Sequence, residues 1–515
     1  MSQSTTNRQS WERTSTWIGR AGYWLVLPVL LCPWAPGRAA APPPPNIVWI
    51  VAENFSLDFG CYGATQVHTP HIDALAAAGT RFTQVYATSP VCAPSRSAFM
   101  TGMYQTSTDT HHMRSHRQDQ FRLPAGVRPV THRLADAGYF TANITTMGER
   151  VVGTGKLDLN FVNEGPIYQS SDWAEALAHQ PFFAQINTPE AEYDIYDRRS
   201  AEKPRVPWVG EEWHPQVAHE GNVEPPAYYP DHPVARQEWA RYLNSASGVD
   251  VRVGWILEEL ERAGVSHNTI VVFFADNGRL EPRGIHWCTA SGLHVPLIIC
   301  LPAGYRDAAA WDVQWLPPGS IDERVVSLLD VTATTLQLAG ITPPLGQHGR
   351  SLVAGPLAGQ ELPPPRQFAF SARDRIDETV IRQRSVTDGR YHYVRNFTPG
   401  ASFATLNRYK EKCFLVQPLL RQLRAQGALN AACRSFFDPF PEELLFDMRQ
   451  DADELNNLAQ SSDPQHVMAL TRLRAALQTW MVETGDLGWK AEPPQVVQPF
   501  EREMHDWFGT PAWAE

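Results

Sequence analysis

The sequence predicts an α/β fold: a mostly parallel sheet with helices on both faces, followed by a smaller α+β region. Residues 46–52 and 269–275 are continuous apolar runs without alternation, as strands covered on both faces require. Between such runs lie helical patterns with cap and stop residues, the rhythm that builds parallel sheets. From residue 386 the character changes, and Arg390-Tyr391-His392-Tyr393-Val394-Arg395 alternates like a strand of a half-exposed sheet.

Each element follows from local signals. After the first strand, Thr69 stands as an N-cap, Pro70 at the first helical position and Gly79 at the stop of a short helix. Residues 130–138 read as a helix and 140–145 as a strand. Residues 234–263 carry Trp239, Leu243, Val253, Ile256 and Leu260 at helical spacing and stop at Gly264. Residues 295–301 form a further apolar run, and 327–339 a helix ending at Gly340. Residues 150–233, rich in Pro, Trp and His, read as long insertions. The expected organisation is a leader over 1–41, a catalytic domain over 42–385 and a C-terminal subdomain over 386–515.

The leader reads as an export signal. Arg8, Arg13 and Arg20 precede an apolar stretch over 23–34, and Ala39-Ala40-Ala41 offers the small-residue cleavage site. Pro28 and Pro33 interrupt that stretch, which falls short of the roughly 20 apolar residues of a membrane span. No stable membrane span is expected, and the location implied is periplasmic or secreted. Cys32 suggests a lipoprotein alternative, against which Leu31 stands where a small residue belongs.

Over 515 residues, 44 Lys+Arg against 55 Asp+Glu leave a charge of −11, which argues against a nucleic-acid partner. Hydrophobic and charged shares of 43% and 19% exclude a disordered or collagen-like chain. An oxidising compartment permits disulfides. Cys413 and Cys433, flanking a helix–turn segment, are the best candidates for a bridge, the alternative being two buried thiols.

The residues that carry chemistry sit at strand and helix ends. The two apolar strands finish at Glu53-Asn54 and at Asp276-Asn277-Gly278, where the ligand crevice of an open α/β sheet lies. Two carboxylates and two amides offer hard oxygen donors suited to Ca²⁺ or Mg²⁺ rather than zinc. The plain alternative is a pair of polar turns. Cys92-Ala93-Pro94-Ser95-Arg96 precedes a helix-like run over 97–100, with Pro94 placed for a first turn and Gly102 for a stop. A helix N-terminus favours an oxyanion, and Arg96 can add a bidentate grip on sulfate or phosphate. Taken alone, Cys92 reads as a small buried hydrophobe.

The pentapeptide at 92–96 resembles the signature of the type I sulfatases. Cys61-Tyr62-Gly63, Thr69-Pro70-His71-Ile72-Asp73, Thr101-Gly102, Gly155-Lys156, Asp276-Asn277-Gly278, the run 443–447 and Asn456-Asn457-Leu458 are similar to family landmarks in family order, over residues 46–460. His111-His112, Tyr228-Tyr229-Pro230 and Arg373-Asp374 resemble the branch that contains heparan N-sulfatase (sulfamidase). The resemblance implies an alkaline-phosphatase-like fold and a sulfated carbohydrate substrate. It implies that Cys92 is oxidised to formylglycine by a formylglycine-generating or anaerobic sulfatase-maturating enzyme, and that the aldehyde hydrate attacks the sulfur of a sulfate ester. It further implies that Glu53, Asn54, Asp276 and Asn277 hold Ca²⁺, with Mg²⁺ as the alternative. Arg96 and Lys156 would neutralise charge on the transferring group. Ser95, His111, His112 and Arg373 would contact substrate, with helix packing as the other reading of the histidine pair.

The chain departs from the family in three places. The family usually has two aspartates where Glu53-Asn54 stand, so one formal charge is lost from the metal set; Asp58 is near enough in sequence to compensate. Asp158 stands two residues after Lys156 where a histidine is frequent, and residues 188–193 hold no histidine after the strand 182–187. Arg283 and His286 are the substitutes, in a loop where the family tends to place a basic residue. Three alternatives accompany the sulfatase reading: a sulfamidase, a phospho- or phosphonate hydrolase on the same scaffold, and a non-catalytic sulfoglycan-binding protein. Trp208, Trp213, Tyr228 and Tyr229 form either a carbohydrate platform or ordinary loop packing.

Overall fold

A computed structural model describes residues 43–116, 119–162, 165–192, 215–280, 282–302, 305, 316–354 and 362–514. The expected leader, Trp208 and Trp213 lie outside them. No described helix is long and apolar enough to cross a membrane.

The first strand, β1 (Asn46–Ala52), is buried at every residue, as its unbroken apolar run requires. The strands that follow are β2 (Thr80–Phe82), β3 (Val85–Tyr86), β4 (Phe140–Met147), β5 (Arg150–Val151), β6 (Ser170–Asp172), β7 (Phe182–Thr188), β8 (Thr269–Ala275), β9 (Leu297–Cys300), β10 (Ser320–Asp322) and β11 (Val326–Ser327). The central sheet runs β10-β2-β9-β8-β1-β7-β4-β5, with β6 also on β4. Its middle, β8-β1-β7-β4, is parallel, whereas β9 runs antiparallel to both β8 and β2. The segment 150–233 is therefore not insertion alone: it supplies β7, a central strand paired with β1 in register Ala52↔Thr188.

The helices match their local signals closely. Helix α1 (Pro70–Ala78) starts at Pro70 and stops at Gly79, which is not left-handed; a Cβ there would meet the Ile299 carbonyl oxygen at 2.5 Å. Helix α2 (Cys92–Thr101) begins at Cys92 itself and ends at Gly102 with φ +69°, a left-handed stop. Helices α3 (Val130–Asp136), α4 (Trp173–Ala178), α5 (Pro233–Arg262) and α6 (Leu329–Leu338) cover the sheet. At the core, Trp49 of β1 meets Phe99, Phe183 and Phe274 edge-on, with centroids 6.1, 5.0 and 5.3 Å away. Its indole N–H donates to Thr335 Oγ1 at 2.9 Å, so this buried donor is satisfied.

The second sheet is antiparallel, in the order β12 (Ala369–Ile376), β13 (Thr379–Thr387), β14 (Tyr391–Asn396), β15 (Glu443–Asp447). It opens at Ala369, so two of its strands begin before residue 386. They escape a pattern reading because β12 buries Arg373, Asp374 and Arg375 where an apolar run would be sought. Helix α7 (Pro464–Glu483) packs on this sheet, with Trp480 stacked on Phe370 at 5.2 Å.

The expected Cys413–Cys433 bridge is absent. The two side chains are buried and not bonded to each other, and Cys433 Sγ instead donates to the Tyr228 carbonyl at 3.6 Å. Tyr228 and Tyr229 are buried as well, so the packing reading holds for them and no sugar platform does.

Candidate active site

Strand register assembles the site. Ala52 pairs with both Thr188 and Ala275, so the residues after β7, β1 and β8 emerge side by side at one sheet edge. Glu53 N donates to Thr188 O at 3.2 Å and Asp276 N to Ala52 O at 3.1 Å, which extends the ladder one step past the strands. Asn54 then turns with φ +63°, a left-handed conformation that asparagine tolerates better than most residues. Its N–H donates to Asp276 Oδ1 at 3.1 Å, and its Oδ1 accepts from Asn277 Nδ2 at 2.9 Å. Gly278 is required after them, because a Cβ would lie 2.0 Å from the Ser291 carbonyl oxygen.

Cys92 is the first residue of α2, and no side chain caps that helix end. Its Sγ lies 3.9 Å from Asn54 Oδ1. Burial pushes the Cys92 thiol well above its usual range, partly offset by Lys156, so the unmodified side chain stays a thiol at neutral pH. Ser95 Oγ donates to the Asp276 carbonyl at 2.5 Å, holding helix to strand rather than facing the cleft.

Arg96 also points inward. Its Nε donates to Asp276 Oδ2 at 3.0 Å, its Nη1 to Asn187 Oδ1 at 2.8 Å, and its Nη2 lies 3.5 Å from Glu53 Oε1. The expected bidentate grip on an anion is therefore directed at Asp276 and Asn187. Lys156 Nζ donates to Glu53 Oε2 at 2.9 Å and to Glu192 Oε2 at 2.7 Å. Burial opposes the Lys156 charge, yet Cys92, Glu192 and Glu53 hold its pKa well above the ordinary value. Burial would raise Glu192, but Lys156 outweighs it and the carboxyl falls to about 2. Burial pushes Glu53 well above the carboxylate range, only partly offset by Lys156.

A tight cleft opens beside Cys92, lined by Asn54, Arg114, Glu192, His286, Asp377 and Tyr409. His286, expected in a loop, is buried there, with φ +79° and its backbone N–H donating to the Pro90 carbonyl at 2.8 Å. Its Nδ1 is buried without a hydrogen-bond partner. Burial, then Lys410, Arg373 and Arg114, push its pKa well below the usual value, so the ring is neutral at neutral pH. Arg114, Glu192, Asp377 and Tyr409 escape sequence reasoning; the carboxylate at 192 occupies the stretch where a histidine was sought.

Four further expected contacts lie elsewhere. Arg283 faces a different cavity, with its guanidinium between the Tyr228 and Phe403 rings. Arg373 stacks over Trp287 at 4.1 Å and does not line the cleft. His111 and His112 pack on each other at 4.2 Å, and His112 Nδ1 accepts from Arg375 N at 3.2 Å, so the pair packs from a loop against strand β12 rather than against a helix. Asp58 does not complete the oxygen set: it binds Tyr242 OH at 2.8 Å and Arg279 at 3.0 Å.

The donor set itself suits a divalent cation. Glu53 Oε1, 3.5 Å from Arg96 Nη2, and Asn277 Oδ1 are buried oxygens with no hydrogen-bond partner, an arrangement that costs free energy unless a donor or a cation completes it. Together with Asn54 and Asp276 they are oxygen donors only, which fits Ca²⁺ or Mg²⁺. Among the described residues no three His, Cys, Asp or Glu side chains cluster as metal ligands, in keeping with two of the four donors being amides.

A family model described as "Sulfatase" matches residues 45–341. The chain is 30% identical over 482 residues to the "Ulvan-active sulfatase" of Formosa agariphila, covering 86% of this chain and 76% of that one. It is 26% identical over 508 residues to the human "N-sulphoglucosamine sulphohydrolase", covering 88% and 93%. Among solved structures, a putative sulfatase from Bacteroides thetaiotaomicron shares the fold with a TM-score of 0.58 at 21% identity, covering 88% and 96%.

Proposed function

The chain belongs to the sulfatase family of sulfuric ester hydrolases, and from that premise we propose that the Cys92 cleft removes sulfate from a sulfated glycan outside the cytoplasm. The observation that carries the proposal is Cys92 at the start of buried α2, beside Asn54 and within a cluster that includes Lys156, Glu53 and Asp276. A buried thiol with a raised pKa is a weak nucleophile. Conversion of Cys92 to formylglycine by a dedicated maturation enzyme, which supplies the oxidant, removes that difficulty. The export pattern over 1–41 supports a periplasmic or secreted location.

Glu53, Asn54, Asp276 and Asn277 would hold the cation, Ca²⁺ or Mg²⁺. Bound there, it would supply Lewis-acid polarisation of sulfate oxygens. The chain's own groups do the rest. Arg96 fixes the orientation of α2 against Asp276 and Asn187 and acts as a positioning residue. Lys156 keeps its proton and presents positive charge near Cys92, its direction set by two carboxylates. His286, neutral, orients the leaving-group side through hydrogen bonding rather than as a charged acid. Arg114 adds a cation at the cleft.

The 30% relative is named for ulvan and the 26% relative for N-sulphoglucosamine, so an O-sulfated and an N-sulfated glycan are the two candidates. Assay of matched O-sulfate, N-sulfate and phosphate sugars separates the two and tests the whole proposal. Turnover of a sulfate that Cys92→Ala abolishes is expected. Fully converted protein that releases sulfate from none of them would overturn the enzyme reading in favour of a glycan binder.

A further inference from the structure

The loop over residues 283–289 has two sides. One presents Ile285 and His286 to the Cys92 cleft; the other presents Arg283 and Trp287 to a second cavity of ≈ 200 Å³. This cavity lies between the loop and the small sheet, and exposed Asp438, Pro439 and Pro441 stand along its lining. Its walls are aromatic: Trp287, Phe403 and Phe440 meet edge-on with centroids 5.0, 5.4 and 4.9 Å apart.

Its unmet polar groups are donors. Arg283 is 4% exposed, and its Nη2 donates to the Glu454 carbonyl at 2.9 Å, but Nε and Nη1 are buried without partners. Trp287 Nε1 is likewise buried and unpartnered. The one buried carboxylate in the lining, Glu454, is already engaged, with Oε1 at 2.5 Å from His392 Nδ1 and Oε2 accepting from Ala290 N at 2.8 Å. Buried donors without acceptors are costly, so the missing component is an acceptor. A guanidinium with two free N–H groups matches a planar or tetrahedral oxyanion bidentately. An apolar cavity of about 150 Å³ admits benzene, so this volume admits one substituted six-membered ring.

We infer that this cavity is a second ligand site, which takes a single six-membered ring carrying one oxyanion, the anion on Arg283 and the ring against Trp287, Phe403 and Phe440. The chemistry is shared by a uronate sugar and by an aromatic acid. It does not depend on the reaction at Cys92, because none of its donors faces that cleft.

Calorimetric titration of the full chain with D-glucuronate, benzoate and neutral D-glucuronamide tests it, with hydrogen exchange to locate the ligand. At least one acid should bind ten or more times tighter than the amide, and the tighter acid identifies the source. Protection should appear over 283–289 and 435–441. Arg283→Met should weaken binding at least tenfold. Should Arg283→Met fail to fold, the comparison of acid with amide on the unaltered chain still decides. The inference is overturned if neither acid binds, if the amide binds as well, if protection falls only on 92–96, or if folded Arg283→Met binds undiminished.

Discussion

Arg96 Nε donates to Asp276 Oδ2 across 3.0 Å, tying the first turn of the cysteine helix to the end of a strand 180 residues away. Both side chains are almost fully buried, and Asn187 takes a second guanidinium nitrogen. Two sheet-edge residues and the nucleophile's helix are thus held as one unit.

Arg96→Lys keeps the charge but cannot span Asp276 and Asn187 together. Turnover should fall by about 10²–10³. Arg96→Met leaves a buried carboxylate unpaired and should cost about 3–5 kcal/mol in chemical denaturation. Unchanged turnover in Arg96→Lys would show that the bridge does not position the site.

The oxygen set makes a prediction that needs no substrate. Ca²⁺ at a hundredfold excess over its Kd should stabilise the fold by about 2.7 kcal/mol, seen as a rise in melting temperature. Asn277→Ala should reduce the rise, and Asn54→Asp should move it to lower Ca²⁺, because affinity tracks ligand charge. Wild-type protein that melts identically with Ca²⁺ and with chelator would remove the metal from the account.

Asp250, buried on α5, accepts from Ile72 N at 2.7 Å, and burial pushes its carboxyl up to about 7. The folded chain therefore keeps a proton that the unfolded chain loses near pH 4. The associated stability is complete below about pH 4 and is lost as pH rises through about 7. Asp250→Asn should flatten the fall in urea midpoint over that window. Parallel profiles for the two proteins would contradict the assignment.

Because Cys413 and Cys433 are not bonded to each other, dithiothreitol should leave the melting temperature unchanged. A native bridge would be worth about 2–5 kcal/mol, and its loss would be plain in the same melt.

What the sequence reveals follows physical reach. Strands β1 and β8 are legible because burial on both faces leaves unbroken apolar runs, and Glu53, Asn54, Asp276 and Asn277 are legible because they stand directly after those runs. Strand β7 is legible over 182–187, but its central place in the sheet is not, set as it is in a segment rich in Pro, Trp and His, and β12 hides behind its buried arginines. Glu192 is invisible until Lys156 reaches it across 36 residues. Arg283 and His286 are only three residues apart, yet no periodicity fixes where a loop side chain points. The left-handed turn at His286 and its bond to Pro90 send one to the Cys92 cleft and leave the other behind it.

Trypsin should release residues 82–96 as one peptide containing Cys92, and its mass decides the central claim. In protein from a host able to install formylglycine, the account predicts the mass loss of a thiol-to-aldehyde exchange at Cys92. An unmodified cysteine in that host would leave the cleft without its nucleophile and contradict the account.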